Sequence, residues 1–220
     1  MPRATRLVLP DVPHHVVQRG NRQQPVFFSD EDRRAYLALL AAACQRHDVR
    51  CLAWSLMDNQ VHLILVPSSA DGLRAALASV HTTYSQRVNR AQGLSGHLFQ
   101  GRFASYPMDD AHLMAAVRYV ENNPVAAGCV ATAEDWPWSS ARAHIAGQAD
   151  GLTDIAALAR HVPNWRAMLA RGLEASDEEE RISAAIKAGR PVGGAGWLIK
   201  TVGPDAASAP AKRGRPFATK

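Results

Sequence analysis

The chain has 220 residues and a formal net charge of +5, with 47% hydrophobic and 20% charged residues. This length and composition exclude a disordered or fibrous protein and allow one well-buried domain with an appendage, or two small domains. The mild basic excess is carried mostly by arginine and favours a polyanionic partner, because the guanidinium fork matches phosphate oxygens and base edges.

Cysteine usage and hydropathy narrow the class of protein further. Cys44, Cys51 and Cys129 are odd in number and show no Cys-x-x-Cys spacing, which argues against a disulfide framework or a zinc site. No apolar run approaches the length of a membrane span, and the N-terminus lacks a signal-peptide core. We therefore expect a soluble, cytoplasmic protein without a membrane partner, and the sequence leaves open whether it is a monomer or a homodimer.

The first predicted elements follow a short basic arm. The sequence of His14–Arg19 is typical of a strand, and that of Asn21–Pro25 is typical of a polar turn. Val26–Phe28 is apolar, and we expect it to pack in the core. A helix capped at Ser29 or Asp30 is predicted over about residues 31–46, because acidic residues occupy its first turn and basic residues its end.

Trp54–Pro67 is the stretch richest in β-formers, and it predicts two strands or one long bent strand closed by Pro67. Its apolar run Leu63–Val66 is typical of a strand covered on both sides. Asp71 then opens a second predicted helix, which continues to about Asn89.

Three further elements complete the predicted domain. Gly93–Gly101 is a glycine-containing loop, Phe103–Pro107 a strand, and Asp109 or Asp110 begins a helix that we expect Pro124 to stop at about Asn122. The order of strands and helices predicts an α+β fold with helices packed on an antiparallel sheet.

The composition changes beyond Glu174. Ser176 and Glu179 form a capping box for a predicted helix over Glu180–Ala188, and an Ala/Ser/Pro-rich linker precedes a basic tail. We divide the chain into a domain over residues 1–173, a helical extension over residues 174–202 and a disordered basic tail over residues 203–220.

Two pairs of polar residues are candidates for a catalytic or metal-binding site. Gln60 and His62 lie two apart on a predicted strand and therefore point to the same face, where a buried polar pair must be hydrogen-bonded or bind something. Tyr119 and Asn123 lie four apart on a predicted helix and share a face. Taken alone, a satisfied core histidine and a packing tyrosine remain the commoner explanations.

Five segments together resemble the REP-associated tyrosine transposases, a family within the single-tyrosine HUH (His-hydrophobe-His) transposase/endonuclease superfamily. They follow the order of that family and cover most of residues 10–145. The segments are His14–Arg22, Met57–Leu63, Gly96–Phe103, Arg118–Val125 and Asp135–Ser140.

The resemblance implies a ferredoxin-like antiparallel sheet that carries a nuclease site for single-stranded DNA. It implies that Tyr119 is the nucleophile and forms a 5′-phosphotyrosine intermediate at hairpins of repetitive extragenic palindromes (REP). A divalent cation, Mg²⁺ or Mn²⁺, is the implied cofactor, since it offsets charge on the phosphoryl oxygens while a fixed phenol attacks.

The resemblance also implies a metal site formed by His62, Gln60 and Asn123. The chain departs from the family at Gln60, where the first histidine of the pair is expected. A glutamine carbonyl oxygen suits Mg²⁺ or Mn²⁺ but is a weaker donor than imidazole, so the departure favours slow or absent cleavage.

The implied DNA contacts are polar or basic residues on loops and at element ends, where phosphate contact competes with simple solvation. His97, Phe99 and Gln100 are suited to an unpaired base or, alternatively, to packing on Trp136 and Trp138. The basic tail resembles an AT-hook in a single copy. The expected DNA-binding residues are Arg19, Asn21, Arg22, Arg87, Arg90, His97, Gln100, Arg102, Arg213 and Arg215.

Three functions remain open from the sequence. The first is a metal-dependent DNA endonuclease and strand transferase that nicks and rejoins single-stranded DNA at REP-type hairpins. The second is a hairpin DNA-binding protein on the same fold that no longer cuts, because Gln60 replaces a histidine. The third is an RNA-binding regulator, for which the aromatic sheet signature is missing.

Overall fold

The computed structural model describes residues 7–159, 161–171, 184 and 190–203. These residues form one four-stranded antiparallel sheet and seven α-helices. The strands are β1 (His14–Arg19), β2 (Val49–Met57), β3 (Gln60–Pro67) and β4 (Ala104–Pro107). The helices are α1 (Asp30–Arg46), α2 (Gly72–Gln92), α3 (Asp110–Ala126), α4 (Ala141–Ala146), α5 (Ile155–Ala159), α6 (Trp165–Arg171) and α7 (Ala195–Val202).

The strand order in the sheet is β2-β3-β1-β4, and the chain order through α3 is βαββαβα. This combination is the ferredoxin-like fold, so the predicted fold class is confirmed. The β-rich stretch resolves into the two-strand alternative, with β2 and β3 joined by a turn at Asp58 and Asn59.

The sheet separates two hydrophobic layers because alternate residues of a strand face opposite sides. Val16, Leu63 and Leu65 pack with α1 and α2 on one face. Val17 and Ile64 pack with α3 on the other. As predicted, β3 is covered on both faces, and all its residues after Gln60 are buried.

Helix α1 begins as its sequence predicts, since the Ser29 hydroxyl accepts a hydrogen bond from the Asp32 backbone N–H. Helix α3 differs from expectation. It continues through Pro124 to Ala126, so the prediction that Pro124 stops it was wrong. Buried contacts of Glu121, Asn122 and Pro124 hold this last turn in place despite the missing backbone N–H.

The segment 190–203 packs against the end of β4. The Val192 N–H donates to Pro107 O, and the Asp109 N–H donates to Val192 O. Val192 is buried in the layer that contains α3. The predicted helix Glu180–Ala188 and the basic tail lie outside the described residues, apart from the single helical position 184 and Gly203.

No helix within the described ranges is both long and apolar enough to cross a membrane.

Candidate nuclease site and nucleic-acid interface

Two histidines meet on the α3 face of the sheet. In the β1–β3 register Val17 pairs with His62 and His15 pairs with Ile64, so His15 and His62 are diagonal neighbours on one face. Their side chains are 0% and 1% exposed. His15 Nε2 lies 3.0 Å from His62 Nδ1, and the two imidazoles share one hydrogen bond.

Each imidazole of this pair has a second nitrogen without a hydrogen-bond partner among the described residues, His15 Nδ1 and His62 Nε2. Burial lowers the pKa of the His62 side chain to about 3, and the positive charge of Arg19 adds to the effect. Burial, followed by the neighbouring His62 and Arg19, also holds the pKa of His15 well below its usual value. Both rings are therefore neutral at physiological pH.

Tyr119 faces the histidine pair from α3. Its ring centroid lies 5.8 Å from that of His15 and 6.0 Å from that of His62, edge-on in both cases. The phenol is partly buried against the apolar layer beneath α3. Residues 15, 62 and 119, which are far apart in sequence, thus converge on one spot.

Strand and helix periodicity direct Gln60 and Asn123 toward the same side of the sheet as His62 and Tyr119. Gln60 shares the face of His62, two residues earlier on β3, and lies directly opposite Arg19. Asn123 lies one helical turn after Tyr119. Both side chains are partly exposed.

The side chains around His62 fit the implied metal. The unpartnered Nε2 of His62 supplies a nitrogen donor, and the amides of Gln60 and Asn123 supply oxygen donors of the kind that Mg²⁺ and Mn²⁺ accept. Within the described residues, His, Cys, Asp and Glu form no group of three that could hold a metal. A site here therefore depends on the two amides.

The sequence reasoning did not assign His15. The only signal was the parity of β1, since His15, Val17 and Arg19 alternate on one face. That parity becomes informative only with the β1–β3 register, which the sequence does not supply.

A buried polar cluster anchors α3 next to Tyr119. The carboxylate of Glu121, 0% exposed, accepts hydrogen bonds from the Ser140 hydroxyl at 2.5 Å, His144 Nδ1 at 2.6 Å and Trp165 Nε1 at 2.7 Å. The Asn122 amide donates to Leu169 O. These bonds tie the half of α3 that carries Tyr119 and Asn123 to α4 and α6.

Six of the expected DNA-binding residues lie on two segments that are hydrogen-bonded to each other at the end of β1. The Gln100 N–H donates to Arg19 O, and the Asn21 N–H donates to Leu98 O. Gly20 and Phe99 form an isolated β-bridge between these segments. The six residues are Arg19, Asn21, Arg22, His97, Gln100 and Arg102.

Two clefts meet at this end of the sheet. One, of about 310 Å³, is lined by Arg19, Arg102 and Tyr106, which lies opposite His15 in the β1–β4 register. The other, of about 710 Å³, lies between α2 and the loop that carries His97. Their shared lining is Gln18, Gln100, Gly101 and Arg102.

Phe99 packs against α2. The Phe99 side chain is 6% exposed, and its ring contacts those of His81 and Tyr84 on α2. Phe99 therefore packs the loop that carries it against α2. His97 and Gln100 remain exposed at the larger cleft.

Arg87 and Arg90 lie apart from this cluster. Both line a groove between α1 and α2, on the layer of the molecule opposite Tyr119. Arg87 pairs there with Glu31 at 2.6 Å. Arg213 and Arg215 lie outside the described residues.

Comparisons with known proteins identify the family of the chain. The sequence profile of the IS200-like transposases matches residues 9–123. The chain belongs to this family, and its class is that of transposase-like DNA-binding proteins.

Among solved structures, the chain is similar to a REP-associated tyrosine transposase whose structure was determined bound to a REP hairpin. The TM-score is 0.56 at 20% identity, over 70% of this chain and 90% of the other. A putative transposase from Deinococcus radiodurans R1 matches with a TM-score of 0.39 at 16% identity, over 55% of this chain and 97% of the other. No curated protein matches the chain significantly.

Proposed function

We propose that this protein nicks and rejoins single-stranded DNA at REP-type hairpins, with Tyr119 as the nucleophile. The observation that carries the proposal is the convergence of Tyr119 on the neutral His15–His62 pair, in a chain of the IS200-like transposase family. A tyrosine that merely packed on α3 would have no need of two buried imidazoles beside it.

The chemistry is an exchange of phosphoesters. The Tyr119 oxygen attacks the scissile phosphorus and loses its proton, the bond from phosphorus to the 3′-oxygen breaks, and the 3′-oxygen takes up a proton. The 5′-phosphate stays attached to Tyr119. Attack by a 3′-hydroxyl reverses the step without an external energy source, because one phosphoester replaces another.

His62, Gln60 and Asn123 are the residues that would hold Mg²⁺ or Mn²⁺. When bound, the cation offsets negative charge on the phosphoryl oxygens and orients the phosphate. The α3 helix, held by the Glu121 cluster, keeps Tyr119 close to that position.

The DNA path that this arrangement supports runs along the two connected clefts. Arg19 stands beside Gln60 at the catalytic face, and Arg102 lines both clefts. A single strand following this path meets guanidinium groups along its phosphates and the exposed side chains of His97 and Gln100 along its bases.

A second candidate function is hairpin binding without cleavage, and Gln60 favours it. Glutamine is neutral, binds divalent cations less strongly than imidazole, and can turn its NH₂ group toward the site. The same fold and the same DNA path would then serve binding alone.

The decisive experiment is formation of a covalent protein–oligonucleotide adduct. The probe is a pool of labelled DNA hairpins with random single-stranded flanks, incubated with Mg²⁺ or Mn²⁺. We expect an adduct that disappears in Tyr119→Phe while hairpin binding is largely retained. Tyr36→Phe is the matched control, because it removes a hydroxyl from the opposite layer of the sheet and should leave the adduct intact.

Two outcomes contradict the nuclease proposal. If Tyr119→Phe still formed the adduct, a residue other than Tyr119 would be the nucleophile. The second outcome is that the native chain forms no adduct, whereas Gln60→His forms one that depends on Tyr119. That result would establish hairpin binding without cleavage as the native function.

A further inference from the structure

The two ring nitrogens of His62 have different surroundings. Nδ1 lies 3.0 Å from His15 Nε2, whereas Nε2 is buried and has no hydrogen-bond partner in the described part of the chain. A buried polar atom without a partner costs about 1–3 kcal/mol. Nε2 of His62 is therefore available to a ligand.

The hydrogen bond between the histidines permits two tautomeric arrangements. Either His62 Nδ1–H donates to His15 Nε2, which leaves a lone pair on His62 Nε2, or His15 Nε2–H donates to His62 Nδ1, which places a proton on His62 Nε2. Only the first arrangement allows His62 to bind a metal through Nε2, because a ligating nitrogen must carry a free lone pair.

We propose that His15 is a positioning residue that accepts a hydrogen bond from His62 Nδ1 and so holds the lone pair of His62 on Nε2, toward the metal. This inference rests on the metal site of the proposed function. It adds a residue outside the His-hydrophobe-His segment, supplied by a different strand.

The location of His15 suits this role. It is 0% exposed on β1, an inner strand whose neighbours hold it on both sides, Ile64 of β3 and Tyr106 of β4. Its ring also touches the edge of Tyr119. His15 can therefore fix the ring of His62 in orientation as well as in tautomer.

A direct ligand role for His15 is the competing assignment. Metal–nitrogen bonds of about 2.1 Å place adjacent octahedral ligands about 3.0 Å apart, the distance that separates the two imidazoles. That assignment would, however, direct both unpartnered nitrogens away from the ion. Both would then remain buried without a partner, so we favour the positioning role, which satisfies one of them.

The first test is the tautomer of His62 in the native, metal-free chain. Nitrogen NMR of ¹⁵N-histidine-labelled protein distinguishes a protonated nitrogen from one with a lone pair, and His62→Gln identifies the signals of His62 among the nine histidines. We expect a proton on Nδ1 and a lone pair on Nε2. A proton on Nε2 would overturn the proposal whether or not the protein cuts DNA.

The second test is Mn²⁺ affinity, measured by electron paramagnetic resonance without DNA. His15→Phe removes the acceptor at similar size and should weaken binding about 10- to 100-fold. His15→Gln retains an amide oxygen and should recover most of the loss. His14→Gln, on the opposite face of β1, is the matched control and should bind Mn²⁺ like the native chain.

The outcomes separate this inference from the proposed function. Mn²⁺ binding by the native chain that His15→Phe leaves unchanged overturns the positioning role alone. Two imidazole nitrogens coordinated to Mn²⁺ in the native chain would make His15 a ligand and also overturn it. If the native chain binds no Mn²⁺, the metal site of the proposed function fails, and the positioning role toward that metal fails with it.

Discussion

His14 and His15 are adjacent on β1 and have unrelated roles, since alternate residues of a strand face opposite sides. His15 faces Tyr119, whereas His14 binds the chain that precedes β1. The Leu9 N–H donates to His14 Nε2, and His14 Nδ1 donates to Val12 O. Protonation of His14 would add a proton to Nε2, where it would point at the Leu9 N–H. The hydrogen bonds around His14 therefore favour the neutral ring.

His14 therefore makes stability depend on pH. Burial lowers the pKa of His14 from 6.5 to about 4. Between these two pH values, the imidazole is protonated in the unfolded chain but not in the folded chain. Its contribution to stability is complete above pH 6.5 and is lost as pH falls toward about 4.

We expect His14→Gln to reduce this dependence. Between neutral pH and about pH 5, the free energy of unfolding of the native chain should fall more steeply than that of the variant, by up to about 1.4 kcal/mol per pH unit. Urea titrations at several pH values measure the two slopes, and equal slopes would contradict the assignment.

At the scale of elements, α3 is held in place by contacts beyond its own sequence. Pro124 removes one backbone hydrogen bond, yet the helix continues to Ala126 because Glu121 and Asn122 bind α4 and α6. Tyr119 and Asn123 are positioned by that anchoring, so the Glu121 cluster contributes to the site without touching the histidine pair.

Glu121→Gln should destabilise the fold. The amide presents an NH₂ group to three donors, and a buried donor left without an acceptor costs about 1–3 kcal/mol. Chemical denaturation measures the loss. Glu134→Gln is the control, because Glu134 pairs with Arg166 at the surface, where an ion pair contributes about 0–1 kcal/mol. Equal losses in both variants would show that the cluster is not a special anchor.

At the scale of the whole molecule, basic residues lie at two separate places. Arg19 and Arg102 line the connected clefts at the end of the sheet, whereas Arg87 and Arg90 line the groove between α1 and α2. The sequence placed all four in one group, and only the fold divides them.

This division predicts different effects on DNA binding. Arg19→Gln and Arg102→Gln should each weaken hairpin binding and lower the slope of log affinity against log salt by about 1, as expected for one lost phosphate contact. Arg87→Gln should leave the slope unchanged, because Arg87 already pairs with Glu31. An equal decrease in all three variants would place the DNA in the groove between α1 and α2 as well.

The sequence by itself determined the α+β class and placed β1, α1, α2, β4 and the start of α3 to within a few residues. Its resemblance to a transposase family added the ferredoxin-like topology and the roles expected of Tyr119, His62, Gln60 and Asn123. The elements follow from local patterns, namely the hydrophobic period and the capping residues, whereas the topology and the roles follow from the family resemblance. The helix past Pro124 escaped prediction because contacts distant in sequence outweigh a local helix breaker.

Only the tertiary structure decided that His15 joins His62, that Arg19 faces Gln60, and that Arg87 does not share their surface. Each of these depends on strand register or on which face of the sheet a helix covers. A shift of one residue in register would exchange the two faces of β1 and bring His14 to Tyr119 in place of His15.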